Sequence, residues 1–96
     1  MPAWASWTTP AVYAAPRGVR ICDGRVLTGE IGVHTTWTET EQLAHITVQY
    51  TGANDWHPLP GSPVPCRSEE ASRTLHDTVV HAIQTGQTGL LAAGRP

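Results

Sequence analysis

Hydrophobic and polar positions alternate most strictly between Glu30 and Tyr50. Ile31, Val33, Thr35 and Trp37 take one side, and Glu30, Gly32, His34 and Thr36 take the other. Further on, Ala44, Ile46, Val48 and Tyr50 alternate with His45, Thr47 and Gln49. A period of two on both arms predicts an antiparallel pair with one buried face and one wet face. The threonine- and glutamate-rich stretch Thr38 to Glu41 is a natural four-residue connection. It would set Trp37 opposite Gln42, Thr35 opposite Ala44, and His34 opposite His45.

The period changes after Ser68. Ala71, Leu75, Val79 and Ile83 recur four apart, with Ala82 beside them, which predicts an amphipathic helix. Ser68 is a suitable N-cap, Glu69 and Glu70 complement the positive end of the helix dipole, and Gly86 supplies the stop. Before the alternating pair, Asp23-Gly24 lies between short apolar runs and reads as a two-residue type I′ hairpin turn. Thr28-Gly29 then bends the chain toward the next strand. Between sheet and helix, Pro58, Pro60, Pro63 and Pro65 exclude a central strand or a helix. That stretch is expected to be a stiff strap anchored by Trp56, Leu59 and Val64.

These elements predict an α+β domain: a three- to four-stranded antiparallel β-meander with one C-terminal amphipathic α-helix packed across one face. Residues 17–86 form the domain. Residues 1–16, with Trp4 and Trp7 among prolines and small residues, are an arm that is either flexible or docked. Residues 87–96 form a C-terminal tail on which Leu90 and Leu91 could dock.

Composition narrows the functions available. The chain has 96 residues and a net charge of −2, with no lysine and no phenylalanine, a bias that fits a GC-rich, actinobacterial coding sequence. Without lysine there is no Schiff-base amine, Walker-A lysine or Ser-Lys dyad. Arg17, Arg20 and Arg25 are close in sequence but make no basic stripe, so no nucleic-acid partner is expected. The prolines at 2, 10 and 16 interrupt any signal-peptide core, and no stretch is long and apolar enough for a membrane span. A cytoplasmic protein without a membrane partner follows as the expectation. Cys22 and Cys66 are expected to be buried thiols rather than a disulfide.

Several side chains are candidates for chemistry. His34 and His45, facing each other on the wet side, could share a metal, with Glu30 further along. Two imidazoles fall short of the three or four ligands that metal sites normally use. Asp77 and His81 are spaced to meet on the helix surface, and His76 lies beside them, but no nucleophile is aligned with them. Cys66 precedes a helix N-terminus, where a thiolate is favoured, although a small apolar role is preferred for it. Trp56 is expected to be a lid on the core rather than a ligand platform, with His57 held beside it. Trp56, His57, Trp4 and Trp7 are the candidate partner or ligand contacts.

No phosphate-binding, hydrolase or metalloprotease motif occurs, and no cofactor is expected. A small non-enzymatic interaction module is therefore the expected function, acting as a homo-oligomer or on a protein partner. The alternative is a small-molecule- or metal-binding protein using the sheet histidines.

Overall fold

A computed structural model describes residues 3–87. The tail predicted for 87–96, with Leu90 and Leu91, lies outside the described residues apart from Gln87. Along the chain the strands are β1 (Trp4–Tyr13), β2 (Val19–Arg20), β3 (Val26–Leu27), β4 (Glu30–Thr38), β5 (Leu43–Tyr50), β6 (His57–Pro58) and β7 (Val64–Pro65), followed by helix α1 (Glu69–Thr85). One antiparallel sheet has the order β1-β4-β5-β6, with β7 also on β5, and β2-β3 forms a separate two-stranded hairpin. The predicted α+β class, with an antiparallel sheet and a helix on one face, is what the chain adopts.

The strict alternation puts Ile31, Val33, Thr35 and Trp37 of β4 in the interior with Ala44, Ile46 and Val48 of β5. The four-residue connection is present but sits one residue later, because Thr38 pairs with Leu43. Each arm slides by one, so every cross-strand partner moves by two, and a shift of two leaves each side chain on its own face. Trp37 therefore faces Ala44 and Thr35 faces Ile46, while His34 lies opposite Thr47 and His45 opposite Thr36. The expected His34–His45 pairing is corrected to a diagonal relation on the same face.

The N-terminal segment, read from sequence as an arm, forms the ten-residue strand β1. Its inner positions Ala5, Trp7 and Thr9 pair with Trp37, Thr35 and Val33. One extra residue between Thr9 and Val12, where Ala11 has φ 58°, makes a bulge that returns Val12 to the core opposite Ile31. The Pro10 preceding it needs no ladder partner.

The Asp23-Gly24 turn differs from type I′. Gly24 alone has a positive φ, 91°, and its N–H donates to the Ile21 carbonyl while the Ile21 N–H donates to Arg25. This is a three-residue loop with glycine in the left-handed position, a common hairpin solution that asks nothing unusual of Asp23. Asp23 instead accepts from the Arg25 backbone N–H and guanidinium, which hold its carboxyl below the usual range. Cys22 is exposed in this turn rather than buried, and both cysteines are free.

The proline-rich strap closes the β5 edge. Leu59 N–H donates to the Ile46 carbonyl and Ser62 Oγ accepts from the Ile46 N–H, so the gap between β6 and β7 leaves neither backbone group of Ile46 unmet. Leu59 is buried, but Trp56 is 41% exposed and is not the expected core lid. Helix α1 is capped as predicted: Ser68 accepts from the Ala71 N–H and Gly86 takes φ 79°. It lies on β1 and β4, and Val79 and Ile83 join Ile31, Val33, Ile46 and Val48 in the main core. No helix among the described residues is long and apolar enough to cross a membrane.

Candidate functional site

The two faces of the sheet differ in kind. The inner face is closed by α1, the β2-β3 hairpin and the strap. At its β1 side the helix turns an unexpected pair toward the sheet, because Ser72 and His76 are buried while Ala71 and Leu75 are only partly so. His76 is 4% exposed, with Nε2 2.7 Å from Thr9 Oγ1 and Nδ1 2.9 Å from the fully buried Thr35 Oγ1. A neutral imidazole has one donor and one acceptor, and a hydroxyl can play either part, so both ring nitrogens are satisfied. One turn earlier Ser72 Oγ accepts from Trp7 Nε1 at 3.0 Å and donates to the Glu69 carbonyl. Arg73 covers Trp7, its guanidinium 5.8 Å from the ring centroid.

Thr9, His76 and Thr35 reproduce the order hydroxyl, imidazole, orienting group that activates nucleophiles. Their surroundings serve a different end. The imidazole is enclosed between helix and strands, and its hydrogen bonds join three elements. Sequence reasoning grouped His76 with Asp77 and His81, yet both of those are exposed. The missed signal was the polar pair Ser72 and His76 at i, i+4, in line with Val79 and Ile83, facing a threonine already assigned to the buried strand face.

Burial holds the His76 imidazole below its ordinary pKa; the Asp77 charge opposes this and His34, on the other side of the sheet, adds to it. The folded chain therefore releases the His76 proton at a lower pH than the unfolded chain, which takes one up near pH 6.5. Between the folded and unfolded values the unfolded state binds more protons, so stability rises with pH. We expect this contribution to be complete above about pH 6.5 and to be lost as pH falls toward the folded value. Urea midpoints measured through the mildly acidic range test this, and a midpoint rising on acidification would contradict it.

Cys66 closes a second core cluster with Ala5, Trp37 and Ala44. Burial raises its thiol pKa, the reverse of an activated thiolate, and its carbonyl accepts from Trp37 Nε1 at 2.9 Å. The apolar reading of Cys66 accounts for this position.

Among the described residues, no helix lies over the outer face. Trp4, Ser6, Thr8, His34, Thr36, His45, Thr47 and Gln49 point this way, and Trp4 at 71% and Tyr13 at 65% are the most exposed large apolar side chains. Trp56 crosses the backbone at Gly32, which has no side chain to hold it off, and its ring centroid lies 5.5 Å from that of His34. His34 Nδ1 is 2.7 Å from Thr8 Oγ1, while His45 reaches Glu41 at 3.3 Å. Among the described residues, no three or more His, Cys, Asp or Glu side chains gather as metal ligands. His57 is held apart from this face, its Nδ1 3.4 Å from the Arg25 guanidinium. Of the four candidate contact residues, Trp4 and Trp56 thus share the open face, Trp7 belongs to the helix contact, and His57 lies at the hairpin.

Comparison of the chain with protein-family models, with curated proteins and with solved structures gives no match.

Proposed function

We propose that this protein is a non-enzymatic interaction module, which associates through the side of its sheet that the described residues leave uncovered. The observation that carries this reading is the contrast between the two faces. One is sealed by the helix, whereas among the described residues the other exposes Trp4, Tyr13 and Trp56. Exposed aromatic side chains are enriched in association surfaces. The most deeply placed imidazole, His76, is engaged in joining helix to sheet, which leaves it a structural task.

Light scattering on purified protein over a wide concentration range tests this. The expected result is a mass that rises from the 10.3 kDa chain to a multiple of it. A constant monomer mass, with no change in the fluorescence of the exposed tryptophans, would count against the reading.

A further inference from the structure

The two edges of the sheet are treated unequally. Along β5, the strap supplies Pro58, Pro60, Pro63 and Pro65, none of which offers an N–H to a further strand. Such prolines and broken, very short strands are how proteins blunt an edge. At the opposite edge, β1 runs from Trp4 to Tyr13 without a single charged residue. Its bulge at Pro10 and Ala11 blunts only the second half. From Trp4 to Thr9 the strand is regular and continuous in its pairing with β4.

The direction of the free backbone groups follows from the register. Glu39 N–H donates to the Ala3 carbonyl, which continues the pairing of Trp4 with Thr38 by one step. Ala3 is thus in a hydrogen-bonded pair, and alternation in an antiparallel ladder turns Ala5, Trp7 and Thr9 toward β4 as well. Trp4, Ser6 and Thr8 are left with N–H and C=O aimed away from the sheet. Ser6 and Thr8 are exposed.

We propose that the Trp4–Thr9 edge pairs with the same edge of a second copy of this chain, antiparallel, with Ser6 on the twofold axis. This rests on the interaction-module reading, names its partner, and places the contact at the edge of the sheet rather than across its open face. In that register Ser6 meets Ser6 of the second copy and Trp4 meets Thr8, so every outward N–H and C=O from Trp4 to Thr8 gains a partner. The odd positions fit equally well, since Trp7 comes opposite the small Ala5 on the inner side. A charge-free strand brings no like charges together across a twofold axis, and it offers nothing to select a charged peptide instead. Beyond Thr8, Pro10 has no N–H to offer, and the pairing ends there.

Ser6→Pro and Ser6→Lys test the pairing. Proline at position 6 removes an outward N–H in each copy and takes none from the β1–β4 ladder. Lysine there places two ammonium groups beside the axis. Sedimentation equilibrium is expected to show a dimer for the wild-type protein and a dissociation constant raised about thirtyfold or more in each variant. Circular dichroism melting at a concentration where wild type is monomeric reports whether each variant still folds, and Ser6→Lys, an exposed substitution, is the less invasive of the two. A control, His45→Lys on the open face, should leave the dimer intact. A dimer that survives both Ser6 variants but is lost in His45→Lys overturns the edge pairing while leaving the interaction module standing. A wild-type protein that never associates overturns both.

Discussion

Replacing Trp37 with alanine is expected to destabilise the protein by about 4 kcal/mol, a large share of what a domain this small possesses. Trp37 is 3% exposed, between Ala5 on β1 and Ala44 on β5, and it packs on Cys66 at the end of the strap. Small neighbours on both flanking strands leave a space that a large ring fills, so truncation opens a cavity beneath Trp7 and Leu75, which pack against the cluster. The loss has a polar part too. Trp37 Nε1 donates to the Cys66 carbonyl, and removing the ring leaves that buried acceptor unpaired. Trp37→Phe separates the two contributions. It retains most of the ring volume, and it is expected to cost about half as much. Urea denaturation of the three proteins checks this; a loss below about 1 kcal/mol for alanine would mean that the second core cluster is not packed as described.

The second large effect is expected at His76. Exchanging it for leucine keeps the volume but strands the Thr9 and Thr35 hydroxyls, and Thr35 is fully buried. A cost of about 2 to 3 kcal/mol follows from the stranded groups. Adding Thr35→Val should recover about 1 kcal/mol, because two apolar partners of matching shape ask for no hydrogen bond. The His76 share of the acid-side loss of stability should vanish in the His76→Leu protein, since nothing in that position then titrates. A double mutant less stable than His76→Leu alone would show that Thr35 is held by groups other than the imidazole.

These two residues also mark where the sequence was legible. Trp37 followed from strict alternation, which forces one face of β4 inward whatever the register. The register itself was not legible, because a four-residue connection starting at Thr38 or at Glu39 fits the polar pattern equally well. Only the side-chain packing of the paired strands decides between them. His76 was hidden for a different reason. Helical periodicity identifies the buried stripe through apolar residues, and a polar pair within that stripe reads as surface unless its partner across the interface is known. Thr35 was on the correct face, but nothing in the chain joined it to a residue 41 positions away.

Strand β1 was obscured by composition. Proline, alanine and serine around Trp4 and Trp7 suggest a loose arm, and two-residue alternation through Ala5, Trp7 and Thr9 is weak when the inner residues are so unlike. Tertiary pairing with β4 supplies what local preference lacks. The strap shows the converse. Its prolines correctly exclude a central strand, and they permit the short edge pairings that β6 and β7 make. The sequence placed Trp56 in the core because aromatic burial is the common outcome, whereas the bare backbone at Gly32 gives it a resting place on the outer face.

The central claim is that the molecule associates along the β1 edge of its sheet. Hydrogen exchange resolved to single amides, on the wild-type protein at dilute and at concentrated conditions, tests it most directly. The amides of Trp4, Ser6 and Thr8 point away from the sheet and should exchange fast in the dilute sample. At high concentration these three should slow together, while the amides of Ala5, Trp7 and Thr9, already bonded to β4, change much less. Exchange at Trp4, Ser6 and Thr8 that is equally fast at both concentrations, in a sample whose mass shows association, would contradict the account.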